Sequence, residues 1–370
     1  MPALTPARDM ESWLALGLIA GLGDESVRRL LVAFGGPAEI FSASPAALGQ
    51  VVKKQVAHNI AQGADQDKLA AALNWLKDPA NSVITLADPD YPGLLLNIPD
   101  PPPLLYLKGR RELLGSPALA IVGSRNATPQ GLANAEAFAE AASSAGLCVI
   151  SGMALGVDAA AHRGGLRGAA ASIAVVGTGL DIVYPARNRE LAHELARKGA
   201  LISEFPLGTP ALGSNFPRRN RIISGISRGC LVVEAALQSG SLITARQALE
   251  QGRDVFAIPG SIHSPLSKGC HALIKQGAKL VESAQDILEE LGYPPTPNAA
   301  ARATYDAGGV DEAGAEDSLL LRHLGHDATD IDTLCVRCGL TAEAVSAMLL
   351  MLELDGVVAS LPGGRYQRVR

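Results

Sequence analysis

The sequence predicts an α/β protein with a doubly wound sheet at its centre and smaller domains at both ends. Short apolar runs bounded by glycine recur between residues 119 and 281, and such runs are typical of buried parallel strands. Helix-like segments alternate with them, which favours a doubly wound sheet. Three helix-like segments and a short hairpin close the chain. The ligand of such a sheet is expected beyond the carboxyl ends of the strands.

The first part of the chain, residues 10–80, is predicted to form small helices. A GLG turn at 21–23 separates two of them, and Asp24 is expected to cap the second. The unit is similar to helix-hairpin-helix modules, which bind nucleic-acid backbones. A plain turn in a helical bundle fits the same residues and is favoured. Residues 83–108 have strand-like ends around a proline-rich middle, which predicts a polyproline connector into the sheet.

The central domain is predicted to hold seven strands joined by helices. The strands are expected at 119–123, 147–150, 173–177, 200–203, 230–234, 255–258 and 278–281. The helices are expected to begin near Pro129, Ala154, Asn188, Arg218, Ser241 and Ser267.

The C-terminal part begins with a segment rich in proline, alanine, glycine and acid at 293–315, which predicts a linker. Three helices and a hairpin with a PGG turn follow, in the order of a winged helix. The predicted boundaries are 1–80 for the helical domain, 81–292 for the sheet domain, 293–315 for an acidic linker and 316–370 for the winged-helix-like domain.

Charge is distributed unevenly along the chain. The net charge is −5, yet residues 187–228 hold eight Arg or Lys against three Glu. A local basic surface in an acidic protein is therefore expected. Residues 293–370 hold six basic and eleven acidic side chains, which argues against duplex binding by the winged helix. No apolar run reaches the roughly 18 residues of a spanning helix, and the charged N-terminus lacks the pattern of a signal peptide, so a cytoplasmic location is predicted.

Small polar residues follow several predicted strands and suit a phosphate group. Gly123, Ser124 and Arg125 end the first strand, where glycine admits a ligand, serine donates a hydrogen bond and arginine grips phosphate. A structural turn with a surface arginine explains the same tripeptide equally well. Gly152 ends the second strand. A further anion cradle is expected from the helix start at 239–244, with Lys268 nearby.

The densest basic cluster is NFPRRNRI, at 215–222. An aromatic ring beside several guanidinium groups is the composition of a single-strand site, in which a base stacks on the ring and arginines hold the phosphates. The alternative is the start of an amphipathic helix with a buried Phe216.

Several motif matches are weak. No Walker A sequence is present, and GTGLDIVYP at 177–185 lacks the third glycine of a dinucleotide fingerprint, so neither a P-loop ATPase nor an NAD enzyme is expected. GISRG at 225–229 resembles a nucleophile elbow but has its helix and strand in the wrong order. His162 is expected to be structural rather than catalytic. A zinc site of His323, His326, Cys335 and Cys338 is disfavoured against core packing.

Taken together, these motifs resemble the DNA-processing protein A family (DprA, also called Smf). The residues that carry the resemblance are the GSR tripeptide, SGMALGVDAAAH, GTGLDIVYPARN, NFPRRNRI with its flanks, VVEAALQSGSLITARQALEQGRDVFAIPG and SKGCHALIKQGA.

The resemblance implies an extended Rossmann-like core, a homodimer, and a protein that is not an enzyme and needs no cofactor or metal. It implies binding of single-stranded DNA without sequence preference and loading of the RecA recombinase during natural transformation. Single-strand-binding protein is a further expected partner, and no membrane is. The residues predicted to bind DNA are Gly123, Ser124, Arg125, Gly152, Phe216, Arg218, Asn220, Arg221, Ser239, Gly240, Ser241, Thr244 and Lys268.

Two other hypotheses stay open at this point. One is a phosphoribohydrolase-like enzyme that acts on a nucleoside monophosphate, with Glu204 or Glu234 as its catalytic carboxylate. The glycine-rich loop expected of such enzymes is absent, because the PGG sequence lies in the terminal hairpin. The other is a regulator that binds duplex DNA through the winged helix, which the acidic charge of that domain disfavours.

Overall fold

A computed structural model describes residues 6–293, 315–325 and 328–369. Most of the predicted linker lies outside these residues. The N-terminal part is helical, as predicted, and its own apolar side chains pack into a core. Its helices are α1 (Pro6–Gly17), α2 (Asp24–Phe34), α3 (Pro37–Ser42), α4 (Pro45–Leu48), α5 (Lys54–Gln62) and α6 (Gln66–Trp75).

The cap predicted for the second of these helices is wrong. Gly23 is the N-cap of α2, and Asp24 is already its first helical residue. The Asp24 carboxylate instead contacts Arg218 and Arg221 at 2.8 and 2.9 Å. This side chain therefore forms ion pairs with α11 rather than capping α2.

The proline-rich region after the helices is also not a mere connector. It forms strand β1 (Asn81–Thr85), the short helix α7 (Gly93–Leu96) and strand β2 (Leu104–Gly109). β1 pairs antiparallel with β2, and β2 pairs antiparallel with a strand of the central sheet. The prolines occupy the link between the strands, where no ladder hydrogen bond is lost.

The central sheet has nine strands in the order β1-β2-β6-β5-β4-β3-β7-β8-β9, and the seven from β6 to β9 in that order are parallel. The predicted α/β class is therefore confirmed. The parallel strands are β3 (Ala118–Val122), β4 (Cys148–Ser151), β5 (Ser172–Val175), β6 (Ala200–Ser203), β7 (Gly229–Val232), β8 (Asp254–Ala257) and β9 (Lys279–Leu280).

Helices cover both faces of this sheet, which explains why its central strands are almost entirely apolar. In β3, Ala118, Ala120 and Val122 enter one core, whereas Leu119 and Ile121 enter the other. Such strands show no alternation of polar and apolar residues. The helices are α8 (Pro129–Ser144), α9 (Val157–Arg167), α10 (Arg189–Lys198), α11 (Asn215–Gly225), α12 (Ser241–Glu250), α13 (Lys268–Lys275) and α14 (Ala284–Glu290).

The strand order creates one point at which the winding reverses. From β3 the chain proceeds through β4, β5 and β6 on one side, and from β7 through β8 and β9 on the other. β3 and β7 are neighbours, so the loops that leave their carboxyl ends diverge and open a crevice between them. A ligand site is expected there on topological grounds.

The C-terminal domain has the predicted winged-helix order and its own apolar core. Its elements are α15 (Ala315–Leu324), β10 (Thr329–Asp330), α16 (Ile331–Cys338), α17 (Ala342–Leu354), β11 (Val358–Leu361) and β12 (Arg365–Arg368). Among the described residues, no single helix has the length and apolar character to cross a membrane. α16 and α17 reach that standard only as a pair, with a bend of 108° between them.

Candidate nucleic-acid interface

An open groove of about 630 Å³ lies at the crevice between β3 and β7. The turns after these strands, the turn after β4 and the first halves of α11 and α12 form its walls. Nine of the residues predicted to bind DNA line it: Gly123, Ser124, Arg125, Phe216, Asn220, Ser239, Gly240, Ser241 and Thr244. They belong to three separate segments of the sequence, at 123–125, 216–220 and 239–244.

The turn after β3 forms one wall of the groove. The Ser124 hydroxyl accepts a hydrogen bond from the Asn126 amide at 3.1 Å, which fixes the turn. Glycine is required at position 123, because a Cβ atom there would lie 2.7 Å from the Val157 side chain. Arg125 follows and is exposed, so its charge is available to a ligand in the groove.

Helix α11 contributes the aromatic ring of the groove. The Phe216 ring has two guanidinium neighbours, with the Cζ atom of Arg125 at 5.9 Å and that of Arg219 at 6.0 Å from its centroid. An aromatic face flanked by cations suits a nucleic-acid base and the phosphates attached to it.

Arg219 lines the groove but was missed by the sequence-based prediction. Its side chain is buried and donates hydrogen bonds to the carbonyl oxygens of Gly152 and Val175. The Nε atom has no hydrogen-bond partner among the described residues. Burial lowers the pKa of Arg219 to about 10, although Asp158 acts in the opposite direction, so the group stays cationic at neutral pH.

The start of α12 forms the opposite wall. The hydroxyls of Ser239 and Ser241 are hydrogen-bonded to each other at 2.7 Å, and the Ser239 hydroxyl also accepts from the Ser241 amide at 3.4 Å. The N-cap residue is Gly240, which has no side chain to cap the helix. A Cβ atom added at Gly240 would meet no atom within 4 Å, so this part of the wall is open. The positive end of the helix dipole and the hydroxyls together favour an anion.

Arg218 and Arg221 lie on the other side of α11 and do not line the groove. At about 100° per residue, positions 219 and 220 share the face of Phe216, whereas 218 and 221 point away from it. Both arginines bind Glu204, at 2.9 and 2.7 Å, and both bind Asp24. Counting basic residues along the sequence could not separate these two faces, but the helical period could.

Two further predicted residues also lie outside the groove lining. Lys268 is exposed at the start of α13. Gly152 lies beneath the groove, where a Cβ atom would come within 2.6 Å of the Arg219 guanidinium and 2.7 Å of the Asp158 carboxylate. Its carbonyl oxygen holds Arg219 in place, so Gly152 supports the groove indirectly.

The two glutamates proposed for an enzyme have structural partners and do not line the groove. Glu204 binds Arg218 and Arg221. Glu234 accepts hydrogen bonds from the backbone amide and the hydroxyl of Thr128, at 2.9 and 2.6 Å, at the start of α8. Burial raises the pKa of Glu234, whereas its bonds to Thr128 lower it.

His162 is buried, and its Nδ1 atom is paired with the Ser172 hydroxyl at 2.7 Å. Burial lowers the pKa of this histidine to about 3, so the ring is neutral. Of the four residues weighed for zinc, His326 lies outside the described residues. The described residues contain no group of three or more His, Cys, Asp or Glu side chains that could hold a metal.

Two family models match the chain. The model described as DNA recombination-mediator protein A matches residues 82–292, and the DprA winged helix domain matches residues 302–364. The first covers the sheet domain, from β1 to the end of α14.

Relatives and solved structures agree with these matches. The chain is 42% identical to Protein Smf of Escherichia coli over 371 residues, which is 98% of this chain and 96% of that protein. It is 46% identical to the DNA processing protein DprA of Streptococcus pneumoniae over 227 residues, or 61% of this chain and 79% of that protein.

The crystal structure of the Streptococcus pneumoniae protein superposes with a TM-score of 0.67 at 36% identity, covering 79% of this chain and 99% of that one. The DNA processing protein A of Helicobacter pylori, whose structure concerns its mode of single-stranded DNA binding, gives a TM-score of 0.52 at 29% identity. That match covers 57% of this chain and 95% of the other.

Proposed function

Because the chain belongs to the DNA recombination-mediator protein A family, we propose that it binds single-stranded DNA in the groove between β3 and β7. The main support for this proposal is the Phe216 ring, with Arg125 and Arg219 beside it and the start of α12 across the groove. Stacking on an aromatic ring tolerates every base, so binding is expected to be independent of sequence.

Groove geometry favours a single strand over a duplex. The ring must reach the face of a base, and base faces are covered in a stacked duplex. The groove also combines a few well-placed cations with neutral hydroxyls in an otherwise acidic protein. Electrostatic attraction to the backbone is therefore local, and the affinity is expected to fall with salt according to the few phosphates contacted.

The activity proposed to follow from this binding is the protection of incoming single strands and the loading of RecA onto them during natural transformation. A homodimer in the cytoplasm is proposed as the active form, with single-strand-binding protein as a second partner. The family assignment supports this activity. Its test is RecA filament formation on DNA coated with single-strand-binding protein, with and without this protein, alongside sedimentation analysis of the oligomeric state.

The binding test is fluorescence anisotropy of labelled oligo-dT, and of a matched duplex, over a salt series. Wild type is expected to prefer the single strand. Arg125→Ala should weaken binding and reduce the slope of log K against log salt by about one unit, because one phosphate contact is lost. Phe216→Ala should weaken binding by about 1–3 kcal/mol with little change in slope, because stacking releases no counterions.

The proposal fails if wild type shows no preference for single strands, or if neither variant alters binding. The phosphoribohydrolase alternative has its own assay, which is release of adenine from AMP. No structural observation favours that alternative, because Glu204 and Glu234 do not line the groove.

A further inference from the structure

A second aromatic ring lies at the rim of the groove, beside Phe216. Tyr184 belongs to the loop between β5 and α10, and its ring centroid is 5.6 Å from that of Phe216, with 35° between the planes. Tyr184 is 49% exposed, so its ring is accessible to a ligand. The two rings form a short aromatic row that leads out of the groove.

The loop that carries this ring is fixed by hydrogen bonds on both sides of Tyr184. Before it, the Thr178 hydroxyl donates to the Ile182 carbonyl at 2.9 Å. After it, the Asn188 side chain donates to the carbonyl oxygens of Met153 and Ala154 at 2.9 and 3.2 Å. The loop that carries the ring is therefore held in position, and the protein loses little conformational entropy when a base stacks there.

The charges of the loop also suit a nucleic acid. Its one acidic residue, Asp181, is engaged by the backbone amide of Gly208 at 2.9 Å. Arg187 is exposed three residues beyond Tyr184. The loop therefore carries an exposed cation close in sequence to the exposed ring.

We propose that Tyr184 is a second stacking site, which holds the base next to the one on Phe216 and extends the DNA path toward Arg187. This inference rests on the proposed function. The 5.6 Å between ring centroids exceeds the roughly 3.4 Å between bases of a duplex strand. Two bases held on these rings therefore belong to a stretched single strand.

The test compares two substitutions of Tyr184 and one control substitution for binding to labelled oligo-dT. Tyr184→Phe keeps the ring, and Tyr184→Leu keeps an apolar group against Phe216 but removes the flat face. Val32→Ala is the control, because Val32 is 89% exposed on α2 and does not line the groove. Thermal unfolding of each variant reports whether the fold is intact.

Tyr184→Phe and Val32→Ala are expected to bind within about twofold of wild type. Tyr184→Leu should bind at least about 5-fold more weakly, since stacking of one base is worth about 1–3 kcal/mol. Its salt slope should equal that of wild type. A 2-aminopurine base in the oligonucleotide should also lose part of its fluorescence quenching in the Leu variant.

Two results would overturn the inference while leaving the proposed function intact. In one, Tyr184→Leu binds like wild type although Phe216→Ala binds weakly. In the other, Tyr184→Phe loses as much affinity as Tyr184→Leu, which would assign the effect to the hydroxyl. If neither Phe216→Ala nor Tyr184→Leu weakens binding, the proposed groove itself is wrong and the inference falls with it.

Discussion

Arg221 donates to the Glu204 carboxylate at 2.7 Å, and only 2% of that glutamate side chain is exposed. The same guanidinium contacts Asp24 of α2 and Asp100 of the segment before β2, at 2.9 and 3.3 Å. Three parts of the chain therefore meet on the face of α11 opposite Phe216. One helix carries the proposed DNA contacts on one side and the attachment of the N-terminal helices on the other.

Above about pH 8, where Glu204 is ionised, replacing Arg221 with alanine is expected to lower the free energy of unfolding by about 3–5 kcal/mol, because a buried carboxylate loses a partner. Because Arg218 still contacts Glu204 in this variant, the decrease in the free energy of unfolding should be close to the lower of these two values. Urea denaturation measures it. Arg218→Ala is the matched control, since that side chain is 47% exposed and its loss should cost less.

The salt dependence of DNA binding separates this structural role from a direct contact. Arg221→Ala should keep the wild-type slope, whereas Arg125→Ala reduces it by about one unit. If an Arg221 variant stays fully stable but its slope of log K against log salt falls by one unit, Arg221 contacts DNA, as the sequence suggested.

The Glu204 carboxylate also makes stability depend on pH. Burial raises its pKa from 4.5 to about 7, an effect that Arg221 and Arg218 oppose and Asp24 reinforces. Between these two values the folded state holds a proton that the unfolded state has released. The free energy of unfolding contributed by this group therefore falls as pH rises from about 4.5 to about 7, and is constant above that.

Glu204→Gln should remove that dependence, because glutamine does not titrate. Urea denaturation of both proteins between about pH 5 and about pH 8 measures the difference between them. The pH dependence of wild type must be compared with that of Glu204→Gln, because His162 also makes the free energy of unfolding depend on pH, in the opposite direction. Its folded pKa of about 3 lies below the ordinary 6.5, so its contribution to stability is lost as pH falls below about 6.5. Parallel curves for the two proteins would contradict the prediction.

The sequence predicted the parallel sheet well, because its buried strands are short apolar runs and those from β3 to β6 are closed by glycine or serine. It indicated strand-like ends at β1 and β2, but the prolines between them suggested a connector rather than two strands of the sheet. The sequence also predicted the arginine cluster at 215–222. The helical period was not used to assign these arginines to two faces of the helix, so Arg219 was omitted from the predicted DNA contacts. The partners of Arg221 could not be predicted, because Asp24, 197 residues away, meets it only through the tertiary fold.

Gly152→Ala should damage the groove although this residue does not line it. The added Cβ atom would lie 2.6 Å from the Arg219 guanidinium, which would have to move. The expected cost is about 1–3 kcal/mol of stability, together with weaker binding of oligo-dT. Gly115→Ala is a matched control, because a Cβ atom there meets nothing within 4 Å. Wild-type binding by Gly152→Ala would show that the position of Arg219 does not matter.

Thr128→Val should show that Glu234 serves the fold rather than catalysis. The Thr128 hydroxyl accepts from the Gly131 amide at the start of α8 and donates to Glu234. Its loss removes a helix cap and one bond to a half-buried carboxylate, so unfolding should become easier by about 1–2 kcal/mol. Affinity for oligo-dT should stay within about twofold of wild type, because neither residue lines the groove. Denaturation and anisotropy measure the two effects, and an AMP assay completes the comparison.

Adenine release by wild type that disappears in a stable Glu234→Gln variant would make this glutamate catalytic. We expect no release from either protein, because Thr128 already occupies both carboxylate oxygens.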